Sequence, residues 1–210
     1  MVIYSFHDQQ LTGLYSRSQL LKQEVNQQLL QAVVEIEVTR QDGEQVKGTG
    51  FNIAAEGQII TNYHVLKNAR KVLVSFPDHK LYNGINWNGD PDYDLALIKL
   101  NSSDLPYVPT CQALPNPGEK VIIVGNPLYL KQIAVEGTVG PSYQIADHTG
   151  ETMSIYASIY QGNSGSPVYN SQGQVVAIIF ATLNQDSEEN EEQEQIIGLA
   201  VPISYFYQRF

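Results

Sequence analysis

The chain has little cysteine and little positive charge. One cysteine among 210 residues, Cys111, excludes an internal disulfide framework and gives no metal-type Cys spacing, so packing alone has to hold the fold. Lys and Arg number 12 against 22 Asp and Glu, a net charge of −10, which is the wrong sign for displacing counterions from a phosphate backbone; no nucleic-acid partner is expected. Charged residues are only 16% of the chain and apolar ones 42%, which excludes disorder throughout. Met1 to Asp8 has neither a cationic start nor an unbroken apolar run, so no secretory signal and no membrane partner are read there. Taken as written, and unless it is a piece of something longer, the sequence predicts a cytoplasmic protein.

Much of the acidity is local. Asp186, Glu188, Glu189, Glu191, Glu192 and Glu194 crowd into a stretch from Asn184 to Gln195 that has no apolar residue, which predicts a mobile loop. Residues 16 to 31 predict an amphipathic helix, with Ser16 or Ser18 as cap and Leu20, Leu21, Val25, Leu29 and Leu30 at helical spacing. From residue 32 the period becomes two: Val34, Ile36 and Val38 alternate with Glu35, Glu37 and Thr39, and the turn residues Gln41 to Glu44 lead into a second run over 46–54. Further short strands fit 58–61, 71–76, 95–100, 121–124, 133–139, 152–159, 174–182 and 196–201, and a short helix fits 203–210. Pro106, Pro109, Pro115 and Pro117 mark a connector over 101–117 that divides these strands into comparable halves, as two packed β-barrels would. The expected organisation is a helical segment over 1–31, a first barrel over 32–100, the connector, and a second barrel with a C-terminal segment over 118–210.

The sharpest chemical feature is the turn Gly162-Asn163-Ser164-Gly165-Ser166-Pro167 between two predicted strands. A serine nucleophile needs an exposed hydroxyl and neighbouring N–H groups that converge on one point, and glycines leave room for that backbone approach. A serine hydroxyl is weak at neutral pH and requires a base, itself oriented by a third group. His64, where a strand ends, and Asp94, at the start of the run Asp94 to Leu100, are the candidates. His7, His79 and His148 lie in polar surroundings without metal-type spacing and are read as surface residues; Cys111 is read as an incidental thiol. No cofactor or metal is called for.

Six segments in order resemble the trypsin-like serine peptidases, most nearly the bacterial HtrA/Deg-type proteases and next the glutamyl endopeptidases: 48–51, 61–65, 94–98, 124–127, 162–165 and 197–202. The resemblance implies two packed Greek-key β-barrels in an all-β chain, with a peptidase cleft between them. It assigns Ser164 as nucleophile, His64 as base and Asp94 as the group that orients it, with Gly162, Asn163 and Ser164 forming an oxyanion hole. By the same register, Ser158 and Ile159 form the base of a specificity pocket and Ile179, Phe180 and Thr182 its wall. None of these is charged, so an apolar residue before the cut is expected, and backbone from Phe180 to Thr182 would pair with an extended or unfolded polypeptide substrate. Asn163 stands where zymogen-activated trypsins carry an Asp, so activation by an N-terminal amine is not expected.

A regulatory partner stays open, as does the oligomeric state. The acidic loop could gate the cleft, bind a cation, repel acidic peptides, or be a solvated insertion. The alternative to an active peptidase is a catalytically silent or partner-gated module that binds extended peptides.

Overall fold

The computed structural model describes residues 17–19, 21, 22, 26–84, 86–127, 130–145, 148–185 and 195–210. The first sheet begins with β1 (Val33–Arg40), whose alternation is realised as read: Val34, Ile36 and Val38 are buried, while Glu35 and Glu37 face outward, where Lys47 Nζ reaches their carboxylates at 2.9 and 2.5 Å. It pairs antiparallel with β2 (Gln45–Asn52) and with β4 (Ala69–Ser75). The remaining strands are β3 (Gln58–Thr61), β5 (Leu81–Asn83), β6 (Trp87–Asp90) and β7 (Leu95–Lys99). Their order is β5-β4-β1-β2-β3-β7-β6, a curved seven-stranded half-barrel whose end strands are not joined to each other by a ladder.

The second unit closes fully. Strands β8 (Lys120–Gly125), β9 (Ile133–Gln144), β10 (Glu151–Tyr156), β11 (Pro167–Tyr169), β12 (Val175–Gln185) and β13 (Gln195–Pro202) form a barrel in the order β10-β13-β12-β11-β8-β9. The all-β, barrel-type architecture expected from sequence is therefore observed, as one half-barrel sheet and one closed barrel. Strands β5, β6 and β11 are additions to that expectation. The acidic stretch is shorter than expected, because Asn184 pairs with Ile196 and Gln185 with Gln195; residues 186–194 lie outside the described residues.

Three apolar clusters hold the chain. One fills the half-barrel (Val34, Ile36, Ile59, Leu66, Val74, Ile98) and another the closed barrel (Val121, Ile123, Ile155, Ile159, Val168, Ile179). The third joins them, packing Val33, Phe51, Ile60 and Leu95 against Val124, Val175, Ile178, Val201 and Phe206. Each such side chain contributes about 1.5–3 kcal/mol when fully buried, so the seam is a core in its own right. The connector runs along it, with Val108 N–H donating to Asn52 O at 2.9 Å and Asn52 Nδ2 to Pro106 O at 2.8 Å.

The helix expected over 16–31 is interrupted. Asn26 has non-helical backbone and accepts the Gln28 N–H at 2.9 Å, capping the short helix α1 (Gln27–Gln31). Ser18 is buried and accepts the Ala134 N–H at 2.9 Å, so it ties the segment to β9 rather than capping a helix; Ser16 lies outside the described residues. One helical turn, α2 (Tyr63–Leu66), follows β3, and α3 (Ile203–Arg209) ends the chain where a short helix was expected.

Candidate active site

His64 stands on α2, the turn that leaves β3 at the seam. Its Nδ1 lies 2.6 Å from Asp94 Oδ2, and its backbone N–H donates to Asp94 Oδ1 at 2.8 Å. An ionised carboxylate only accepts, so the Nδ1 proton belongs to the histidine and Nε2 is left with its lone pair. Asp94 occupies the left-handed region at φ +50°, a conformation that side-chain residues adopt only when their surroundings over-determine it. Here the surroundings do: besides the two bonds to its carboxylate, its carbonyl accepts Asn62 Nδ2 at 3.0 Å and Tyr63 N–H at 3.2 Å. The carboxylate side chain is 15% exposed and the imidazole 44%, so the aspartate is sheltered while the imidazole faces outward.

Ser164 is brought to the same seam by β2. Thr49 N–H donates to Ser164 O at 2.8 Å, and Thr49 Oγ1 donates to Gly162 O at 2.8 Å while accepting the Asn126 N–H at 3.0 Å. Gly48 explains how close the parts come: a Cβ there would sit 2.9 Å from Val65 Cγ1 and 3.4 Å from Ser164 O, so this strand passes between the histidine turn and the serine turn. Ser164 Oγ makes no hydrogen bond among the described residues, His64 included.

The N–H groups of this turn divide into two sets. Asn163 N–H donates to Tyr160 O, Gly165 N–H to Ile179 O and Ser166 N–H to Asn163 O, at 3.1, 2.8 and 2.9 Å. Those of Gly162 and Ser164 donate to no described group. The bond from Asn163 to Tyr160, with Gly162 at φ +98° and Gln161 at negative φ, defines a type II turn. Two unspent donors flanking one buried residue, Asn163, are what a site for a developing oxyanion requires. Asn163 itself contributes shape, since its own N–H is engaged.

The residues assigned to a specificity pocket are placed unevenly. Ile159 and Ile179 are buried in the barrel cluster, Ser158 and Thr182 are exposed, and Phe180 is half-buried. Ile159 lies over Gly198 of β13, where an added Cβ would meet Ile159 Cδ1 at 2.0 Å. The β12–β13 register shifts between Ile179 and Ala181, leaving Phe180 at a bulge, and β11 pairs with β12 only as far as Ile178. Beyond that point β12 has one edge without a paired strand among the described residues. His148 corrects the reading of it as a surface residue: its ring stacks on Phe180 at 4.6 Å and both ring nitrogens are buried without partners. His79 is exposed as expected, and His7 lies outside the described residues. Among the described residues no cluster of His, Cys, Asp and Glu could hold a metal ion.

A family profile described as a trypsin-like peptidase domain matches residues 48–178. The chain belongs to this family. Among curated relatives of this trypsin-like peptidase domain, serine endoprotease DegS of Escherichia coli K12 is 32% identical over 160 residues, which are 74% of this chain and 44% of DegS. A probable periplasmic serine endoprotease, DegP-like, of Chlamydia pneumoniae is 34% identical over 149 residues, covering 69% of this chain and 30% of that protein. The chain thus spans less than half the length of these relatives. A solved HtrA-type protease, AlgW with a tripeptide, superposes with a TM-score of 0.74 at 24% identity, over 87% of this chain and 60% of that one, and shares the fold.

The relatives overturn the cytoplasmic expectation. The DegP-like relative is named as periplasmic, so the cytoplasmic reading does not stand. The expectation rests on the first residues of the chain, and the residues that build a peptidase barrel carry no information about compartment. No helix among the described residues is long and apolar enough to cross a membrane. Sequence reasoning also misses Thr49, Asn62, Asn126 and Gly198, which position the site. All four fall inside the quoted family segments, but their roles depend on contacts with residues far away in the chain, which no local pattern reveals.

Proposed function

We propose that this domain is a serine endopeptidase. The reading is carried by one observation: an Asp94-locked imidazole with its Nε2 free lies at the same seam as a serine turn whose Gly162 and Ser164 N–H groups are unspent. Ser164 Oγ attacks the scissile carbonyl carbon while His64 Nε2 takes the hydroxyl proton. The oxyanion forms between the two N–H groups, and collapse expels the amine, which takes the proton back from His64. Water then repeats the sequence on the acyl-enzyme and frees the carboxylate. Asp94 holds the Nδ1 tautomer and stabilises the imidazolium, and no metal or cofactor takes part.

The substrate is an extended polypeptide that adds to the open edge of β12 at Phe180 to Thr182. A small apolar residue precedes the cut, because Ile159 lies across Gly198 and limits the depth of the pocket. Cleavage-site mapping on a denatured protein tests this. Cuts after Val, Ala or Ile that vanish in Ser164→Ala support the proposal; predominant cutting after Lys, Arg or Glu contradicts the pocket.

One observation favours the second reading, a partner-gated module. Ser164 Oγ makes no hydrogen bond to His64 among the described residues, so the nucleophile is not yet engaged by its base. Apo catalytic bonds tighten in the substrate complex. Activity that appears only with an added peptide or partner would select the gated form.

A further inference from the structure

The loop that presents Asp94 is held from the far end of the chain. Residues 90–94 join β6 to β7 in the half-barrel, yet two side chains of α3, which follows the closed barrel, grip it. Arg209 Nε donates to Asp90 Oδ2 at 2.5 Å, and the guanidinium carbon lies 5.4 Å from the centre of the Tyr93 ring. The Tyr205 ring also packs on Tyr93, with centroids 5.0 Å apart, and its hydroxyl accepts the Glu151 N–H at 3.0 Å. The β9–β10 connection adds Thr149 N–H to Asp92 O at 2.8 Å, and Asp90 Oδ1 accepts the Asp92 N–H at 3.0 Å.

These contacts fix both ends of a four-residue span, Asp90 at one end and Tyr93, the neighbour of Asp94, at the other. None of them reaches the Asp94 carboxylate among the described residues; they act through the backbone that holds Asp94 at φ +50°. The ion pair is half-exposed on its arginine side, a setting in which such pairs contribute little to global stability. Its geometric effect is larger, because the aspartate must keep a 2.6 Å bond to His64 while sitting in a backbone region it does not favour.

We infer that α3 is a positioning element for the Asp94–His64 pair, with Arg209 and Tyr205 as its positioning residues. This rests on the triad reading above. Displacement of α3 lowers turnover and leaves substrate binding unchanged, so any ligand that moves this helix is an inhibitor acting at a distance from the cleft.

The test uses the full chain as wild type, Arg209→Ala, Arg209→Lys and Tyr205→Ala, with Lys120→Ala as a surface control in the closed barrel. Two readouts are taken well below the unfolding temperature: kcat and KM on a peptide substrate, and the low-field proton resonance of His64 Nδ1–H. Expected is a fall in kcat of roughly tenfold for Arg209→Ala and Tyr205→Ala, less than the ~10²-fold that a displacement of about 1 Å costs, with KM unchanged. The low-field resonance should broaden or move upfield in the same two variants. Arg209→Lys, which keeps a cation on Asp90 but loses the planar contact with Tyr93, should recover part of both. A lower melting temperature with kcat and the resonance unchanged would make α3 a tether only and overturn the inference. Because the resonance reads the Asp94–His64 pair whether or not Ser164 reacts, its loss in the variants supports the inference even in an inactive wild type, and its persistence there overturns it.

Discussion

Thr49 and Ser164 are joined across the seam between the half-barrel and the closed barrel, the threonine N–H donating to the serine carbonyl at 2.8 Å. The same threonine spends its hydroxyl on Gly162 O and on the Asn126 N–H, and its own carbonyl accepts Thr61 Oγ1 at 2.7 Å. It is fully buried, so none of these groups has water as an alternative. The site depends on a strand that carries no catalytic group.

Replacing that hydroxyl by a methyl group should therefore damage both stability and rate. Thr49→Val keeps the shape and the backbone bond but leaves the Gly162 carbonyl and the Asn126 N–H unpaired, at a cost of about 1–3 kcal/mol for a buried unsatisfied group. Denaturant unfolding should show that loss. Peptidase kcat should fall as well, since the freed Gly162 carbonyl no longer fixes the turn.

The turn itself is open to a sharper substitution. Gly162→Ala places a side chain at φ +98°, where its Cβ would stand 2.6 Å from Asn126 O. The type II turn then becomes unfavourable and the Gln161–Gly162 peptide turns over, taking one oxyanion donor away. Circular dichroism should remain that of a folded β protein while kcat falls about 10²–10³-fold, as for loss of one such donor. Unchanged kcat would show that the Gly162 N–H is not used.

Much of this arrangement is legible from the chain alone, and the reasons are physical. Strands such as β1 and β7 announce themselves because one face or both faces are buried, so their apolar residues recur at a period set by the pleat. Strand β11 is hidden because Pro167, Val168 and Tyr169 lie beside a glycine-rich turn and become a strand only by pairing with β8 and β12. Strand β6, with Asn88, Gly89 and Asp90, has turn composition and is held by its partner β7. His64, Asp94, Ser164 and Thr49 all stand in recognisable segments, but the role of Thr49 is hidden: its decisive contact lies 113 residues away, a distance over which no local pattern operates.

The pocket makes a prediction of its own. Shortening the side chain that lies across Gly198, by Ile159→Ala, should deepen the pocket and raise kcat/KM for Leu or Phe before the cut relative to Val. The change should be about 10-fold, the scale on which a hydrophobic pocket senses one or two methylenes. A profile unaltered by the substitution would place Ile159 in the barrel core alone.

Acid stability should show the Glu35 network on the outer face of β1. Burial alone would raise this carboxyl, but hydrogen bonds and charge from Lys47 and Lys131 outweigh it and hold it below the usual range. A depressed carboxyl contributes stability that is present above its unfolded pKa and is lost as pH falls through its folded value. Between about pH 6 and about pH 3 the melting temperature should therefore drop more steeply in the wild type than in Glu35→Gln. Parallel curves would mean that the network does not favour the folded state.

The central claim is that Ser164 is a nucleophile activated by His64. It is tested most directly by reaction with a fluorophosphonate followed by mass mapping of the adduct. The account predicts a single adduct on Ser164 in the wild type, none in Ser164→Ala, and labelling slowed by several orders of magnitude in His64→Ala. An adduct on another residue, or labelling of Ser164 at the same rate without His64, would contradict it.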